Sequence, residues 1–347
     1  MTLTHRRCAA ALVAALVAAV STTPAIAAAK SEHAPAKPAK PASQQQKPLD
    51  IDAFNNARDT PLLRRGNQGP AVVRAQILLD RAWYSSGEID GRFGANLERM
   101  VRAYQLARGL KPTGTLTADT WKLLMDDGEP RLVRYTVTPQ DVAGPFEKTP
   151  KEIAEQAKMK ALVYESALEA IAERFHTSVD YLHRLNGPGD VAAGTQIVVP
   201  NVGATAAPAK AVSIEISKQA RVLYVLDAER RPIAGFPISI GNEKNDPLPI
   251  GMMAVRNEVK NPSFTYDPAL LKTAKAGEQK TEVPPGPNNP VGTFWLGLTK
   301  PHWGIHGTPQ PGNVGHSETN GCIHLTNWDV ERLSTLAKAG FKVDVRP

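Results

Sequence analysis

Four of the eight histidines in this 347-residue chain, His302, His306, His316 and His324, fall between positions 302 and 324, beside Cys322. A lone histidine is usually a packing or surface residue, and His302 and His316 are read that way. His306 and Cys322 invite chemistry. A free thiol, with a pKa of about 8.5, is only about 3% thiolate at neutral pH. A neighbouring imidazole that takes its proton makes the sulfur a nucleophile, and can later return the proton to a leaving amine. Lowering the thiol by about two pKa units corresponds to about 2.7 kcal/mol, within reach of a close Cys–His pair. The imidazole itself needs a third group to fix its tautomer. The turn Gly304-Ile305-His306-Gly307-Thr308 offers the carbonyl of Gly307. Asn320-Gly321 precedes the cysteine, and a glycine there lets the backbone N–H groups of Asn320, Gly321 and Cys322 aim at a developing oxyanion. One competing set exists: His302 and His306, with Cys322 and His324, could ligate zinc in a hydrolase. Glu318 is the sole carboxylate nearby to act as its base.

The cysteine count sharpens the first reading. The chain has two cysteines, and Cys8 lies in a segment that reads as a secretory leader: His5, Arg6 and Arg7, an apolar run from Cys8 to Val20, then Ala25-Ile26-Ala27. That run is shorter than the roughly 20 residues a membrane-spanning helix needs, so cleavage after Ala27 is expected rather than an uncleaved anchor. Cys8 follows two arginines rather than a lipobox, which argues against lipid attachment. No later segment is apolar enough to span a bilayer, so no stable membrane span survives cleavage. Cys322 is then alone, excluded from any intrachain disulfide and marked as a reactive thiol. Net charge is +7, and the leader carries two of the positive charges, Arg6 and Arg7. The modest surplus suits an anionic polymer such as a cell wall. Without a basic helix or a basic-aromatic strand, nucleic acid is not an expected partner.

Around this constellation the chain divides into segments. Residues 28–59, rich in Ala, Pro, Lys and Gln, read as a disordered tether. Residues 60–128 read as a small three-helix bundle. Val72, Val73, Ile77 and Leu79 give one apolar face; Leu97, Met100, Val101 and Tyr104 give a second, with Asn96 placed to cap it; Thr117 caps a third helix carrying Trp121. Ile89-Asp90-Gly91-Arg92-Phe93-Gly94, Tyr104-Gln105, Gly109-Leu110, Pro112-Thr113-Gly114 and Thr120-Trp121 together resemble the helical peptidoglycan-binding domain family. Residues 131–201 predict a strand, a helix behind the capping box Ser166-Ala167-Leu168-Glu169, a second helix ending at Asn186-Gly187, and a strand over Ile197 to Pro200. This strand-helix-helix-strand order resembles a LysM carbohydrate-binding module, with residues 138–165 inserted before its first helix. Glycan binding and a spacer role are both open for it. A linker over 202–210 leads to residues 211–347, where alternating Val212, Ile214 and Ile216 begin a mainly-β domain with one helix from about Asn327 to Lys338. The fold class expected is thus multidomain α+β.

The spacing around the cysteine also resembles a family. Ile305-His306-Gly307-Thr308, then Thr319-Asn320-Gly321-Cys322-Ile323-His324-Leu325, are similar to the HGT and [S/T]xGC patterns of the L,D-transpeptidase catalytic domain. Gly286-Pro287-Asn288-Asn289-Pro290-Val291-Gly292 and Leu325-Thr326-Asn327-Trp328-Asp329 match the same family's wording. The resemblance implies Cys322 as nucleophile and His306 as base, with Gly307 supporting the ring and Thr308, Thr319 and His324 beside the substrate. The family commonly has Arg or Asn at the position of His324, where a histidine holds a carboxylate only weakly or when charged. By the resemblance the reaction is acyl transfer on peptidoglycan. The thiolate attacks the third residue of a stem tetrapeptide, expels the terminal D-alanine, and passes the acyl group to an amine of a second stem, giving a 3→3 crosslink. Water, a free D-amino acid or a protein lysine are other acceptors in the family. Neither metal nor organic cofactor is required. The partner is then peptidoglycan, met in the periplasm or cell wall. A wall-binding scaffold without activity and a zinc-dependent murein hydrolase are the alternatives.

Overall fold

The computed structural model describes residues 49–203, 206–208, 210–241, 247–270, 274, 277–319 and 321–347. The expected leader, most of the expected tether, and Asn320 lie outside the described residues. No helix among the described residues is long and apolar enough to cross a membrane.

The N-terminal segment holds four helices, α1 (Ile51–Asn56), α2 (Pro70–Arg81), α3 (Ala95–Ala107) and α4 (Ala118–Leu124). Helix α1 corrects the tether expected over 28–59. Asp50 caps it through the N–H of Ala53, and Ile51 and Phe54 bury against Val73, Ile77 and Tyr181. One turn of helix is enough because two apolar residues at i and i+3 share a face. Pro70 opens α2, where its missing N–H costs nothing. Thr117 caps α4 through the N–H of Thr120, as its type and position predict. Asn96 does not cap α3. Gly94 takes that position without a side-chain bond, and Asn96, the second residue of the helix, donates to the carbonyl of Val314 at 2.8 Å. Trp121 is fully buried with its Nε1 donating to Pro61 O, a core role.

The middle segment runs β1 (Leu132–Thr136), α5 (Ile153–Gln156), α6 (Ala167–Arg174), α7 (Val179–Asn186) and β2 (Gln196–Pro200), with β1 and β2 antiparallel. Ser166 caps α6 through Glu169 N, but the Glu169 carboxylate accepts from the N–H of Glu165 rather than from Ser166, so only half of the capping box forms.

The C-terminal segment begins with β3 (Ser213–Ser217), β4 (Val222–Leu226), β5 (Pro232–Pro237) and β6 (Ile240–Gly241). It continues through β7 (Gly251–Lys260), β8 (Phe264–Tyr266), β9 (Thr281–Val283), β10 (Phe294–Leu298) and β11 (Gly304–His306). β12 (Glu318–Thr319), β13 (Ile323–His324), α8 (Asn327–Leu336) and β14 (Lys342–Arg346) complete it. Eight strands form one mixed sheet in the order β13-β11-β10-β7-β14-β3-β4-β5. Its buried face carries Ile214, Ile216, Leu223, Leu296, Ile305 and Ile323, covered by Val330 and Leu333 of α8.

The three segments form one unit from Lys47 to Pro347. Helix α3 crosses β5 at Gly235, where an added Cβ would lie 3.3 Å from Met100 Sδ and 3.4 Å from the Tyr84 ring. Ser85 N donates to Gly235 O, and Gly235 N to Trp83 O. Further along, Arg332 of α8 donates from both terminal nitrogens to the Asp80 carboxylate of α2 at 3.0 Å, and His176 Nδ1 reaches the same group at 3.1 Å.

Candidate active site

His306 ends β11 and Cys322 immediately precedes β13. The two strands run parallel, with Ile305 opposite Ile323 and His306 opposite His324. Side chains alternate along a strand, and Ile305 and Ile323 both enter the core. His306 and His324 therefore share the other face, and Cys322 lies in the bend immediately before β13. The rings of His306 and His324 stand 4.3 Å apart between centroids, tilted at 50°.

The His306 ring is 2% exposed and fixed from two sides. Its Nδ1 lies 2.7 Å from the carbonyl oxygen of Gly307. A carbonyl only accepts, so Nδ1 carries the hydrogen and Nε2 keeps the free lone pair. On the other side the Trp295 indole stacks on the imidazole, centroids 5.2 Å apart and planes 16° from parallel. Trp295 reaches it because β10 places Trp295 directly opposite His306. Gly304 is required for this arrangement, since a Cβ there would fall 2.4 Å from the indole. Burial dominates the ring's protonation and pushes its pKa down to about 4, against the raising effect of the Gly307 carbonyl. His324, partly buried, is held well below the usual histidine range by burial and by the His306 ring. Both imidazoles are neutral near pH 7. The Cys322 thiol, also partly buried, donates to the carbonyl of His302 at 3.6 Å.

The remaining residues singled out in the sequence fall around this pair. Thr319 donates its hydroxyl to Cys322 O at 2.7 Å, closing the turn before the cysteine. Gly321 sits in that turn with φ +121°, a backbone position that favours glycine. Thr308 is buried, its hydroxyl accepting from Gln310 N. The side chains of His302 and His316 are exposed. Among the described residues no three His, Cys, Asp or Glu side chains gather as a metal-ion site.

Sequence reasoning missed three contributors. Trp295 is the first. Asn327 is the second: its Oδ1 accepts from Thr293 N, and its Nδ2 donates to Pro287 O and to the Glu173 carboxylate. It packs so closely that a Cβ at Gly292 or Gly307 would come within 2.1 or 2.2 Å of that Oδ1. Both glycines and Asn327 stand in stretches that carry the family resemblance, which was the available signal. Glu173 is the third. It reaches Asn327 from the middle segment, and burial raises its carboxyl to about 8. Beyond His324 opens a cleft of about 830 Å³, walled on one side by residues 149–169.

Comparison with known proteins gives two family matches along the chain. Residues 211–345 match the family described as "L,D-transpeptidase catalytic domain", and residues 68–124 the family described as "Putative peptidoglycan binding domain". Residues 211–345 thus belong to the L,D-transpeptidase catalytic domain family. The chain carries an L,D-transpeptidase catalytic domain, with a match to a peptidoglycan-binding domain ahead of it. It is 28% identical over 184 residues to "Putative L,D-transpeptidase YkuD" of Bacillus licheniformis, covering 52% of this chain and 93% of that one. The Bacillus subtilis protein of the same name is 27% identical over 180 residues, covering 51% and 92%. The solved L,D-transpeptidase of Xylanimonas cellulosilytica aligns at TM-score 0.36 and 15% identity, covering 84% of this chain and all of that one.

Proposed function

We propose that Cys322 is the nucleophile and His306 the base and acid of acyl transfer from a peptidoglycan stem tetrapeptide to an amine. The observation that carries this reading is the His306 tautomer. With Nδ1 donating to Gly307 O, Nε2 keeps its lone pair, and Cys322 immediately precedes the strand that pairs with β11 at His306. An imidazole that resists protonation down to about pH 4 does not hold the thiol proton at rest. It takes that proton as sulfur attacks, which differs from the standing thiolate expected from sequence. The sulfur bonds to the carbonyl carbon of the stem's third residue, and the bond to the terminal D-alanine nitrogen breaks. His306 passes its proton to that nitrogen, leaving a thioester on Cys322. An amine of a second stem then attacks the thioester, the carbon–sulfur bond breaks, and a 3→3 crosslink results. Backbone N–H groups of Gly321 and Cys322, with Asn320, are assigned to the oxyanion, and Thr308, Thr319 and His324 to the walls of the substrate site.

The N-terminal peptidoglycan-binding domain concentrates the enzyme on its polymer, and the basic leader carries it across the inner membrane to the periplasm or cell wall. Incubating the pure protein with disaccharide tetrapeptides and separating the products tests this. We expect released D-alanine and a 3→3 dimer from wild type and neither from Cys322→Ala. Equal binding by both with no product would favour a wall-binding scaffold, and stoichiometric zinc required for cleavage would favour the metal hydrolase.

A further inference from the structure

The cleft beyond His324 is lined from two sources: loops of the catalytic domain, and residues 149–169, the end of the stretch inserted between β1 and α6 together with the first turn of α6. The inserted wall is bound firmly to the catalytic domain. Leu162 N donates to Pro285 O at 2.9 Å, Asn288 N returns a bond to Leu162 O at 3.0 Å, and Asn288 Nδ2 bonds Val163 O at 3.0 Å and Glu169 Oε1 at 3.1 Å. Gly286 makes the approach possible, since a Cβ there would meet Leu162 O at 2.2 Å. Two features of the lining point to a ligand. Glu165, Glu169 and Glu318 face the cleft against Lys151, so its rim is net acidic. Behind the rim Gln156 is 9% exposed; its Nε2 donates to Pro150 O at 2.8 Å, while its Oε1 has no hydrogen-bond partner among the described residues. The hydroxyl of Thr149, also in the lining, is buried without a partner in the same way. A buried acceptor left unpaired is costly, and a donor from a ligand would relieve it.

We propose that this cleft binds the primary amine of the acyl acceptor, with Gln156 Oε1 accepting an N–H and Glu165 and Glu169 attracting the positive charge. The assignment of the amine as nucleophile rests on the acyl transfer proposed above; the amine-binding site itself does not. The ammonium sheds one proton to solvent on entry. Its nitrogen then bonds to the thioester carbon, the carbon–sulfur bond breaks, and the amine's second proton passes through His306 to the departing sulfur. The inserted stretch is thus a specificity element, favouring amine over water as acceptor.

The test measures binding first, on the full chain carrying Cys322→Ala so that no thioester forms. A tetrapeptide with a free side-chain amine and its N-acetylated counterpart are titrated calorimetrically. We expect the free amine to bind about ten-fold tighter, the difference to vanish in Gln156→Leu, and Lys151→Glu to enlarge it about three-fold at low salt. Lys151 is exposed, so its variant guards against a folding defect in the other, and an improvement cannot come from damage. Equal binding of the two peptides, or no change in either variant, overturns the proposal. With Cys322 restored, the ratio of crosslinked to hydrolysed product, normalised to thioester formation, is expected to fall about ten-fold in Gln156→Leu. If wild type forms no thioester while the binding results hold, the acyl-transfer reading fails and the amine site stands.

Discussion

Burial and one backbone carbonyl decide what His306 can do. An exposed histidine would lose its base function below about pH 6.5. With its pKa at about 4, His306 is expected to keep acylation active through pH 5, with the acid limb of the rate profile near 4. Replacing Trp295 by Ala admits water to the ring, so the limb is expected to move up toward the usual histidine range; an unmoved limb would contradict the burial argument. The same shift has a stability consequence of definite sign. Because the folded pKa lies below the unfolded one, the unfolded chain binds more protons between about pH 6.5 and 4, and stability falls as pH drops through that window, by on the order of 3 kcal/mol. Urea unfolding of His306→Gln against wild type checks it: the pH slope in that window is expected to flatten. The sequence made Cys322, His306 and the Gly307 carbonyl legible because each depends on local spacing. Trp295 was not legible, since it meets His306 only through the pairing of β10 with β11.

The turn after β11 and the loop before β10 converge on Asn327 at the start of α8. Gly307 and Gly292 leave no room for a methyl group against its Oδ1. Gly307→Ala is therefore expected to displace Asn327 and the carbonyl that holds the His306 tautomer. We expect acylation to fall about 10- to 100-fold and stability to drop by about 1–3 kcal/mol. Rates from D-alanine release and midpoints from denaturant unfolding check both; an unaffected rate would detach the turn from the chemistry. Element-scale reading succeeded where one residue type has one job, as with Thr117 and Ser166 at helix starts. It failed at Asn96, whose capping chemistry is used instead on Val314, across a contact between segments.

Across the whole molecule, Asp80 ties the three segments together. It receives two bonds from Arg332, 252 residues away, and one from His176, whose ring stacks on Trp328. Against complete burial, the Arg332 guanidinium first and the His176 ring second hold Asp80 at about 2. Removing one partner strands a buried charge, so Arg332→Ala is expected to cost about 3–5 kcal/mol. A single unfolding transition is expected in wild type, because Lys47 to Pro347 pack as one unit. Two separated transitions in calorimetry would contradict that. Two other buried acids shift upward: Glu173 to about 8 and Asp329 to about 7, each through burial. Their contribution is fully present below about pH 4 and is lost as pH rises from there to the folded values of about 7 and 8. None of this was legible in the sequence, where the segments read as modules on linkers. Composition marks a boundary, but a few buried polar residues hundreds of positions apart decide whether it flexes.

Intact-protein mass spectrometry tests the central claim most directly. Wild type and Cys322→Ala are each mixed with stem tetrapeptide and sampled before turnover completes. We expect wild type to gain the mass of the peptide less its terminal D-alanine, mapped to Cys322, and the variant to gain nothing. An adduct on the variant, or on any residue other than Cys322, would contradict the account.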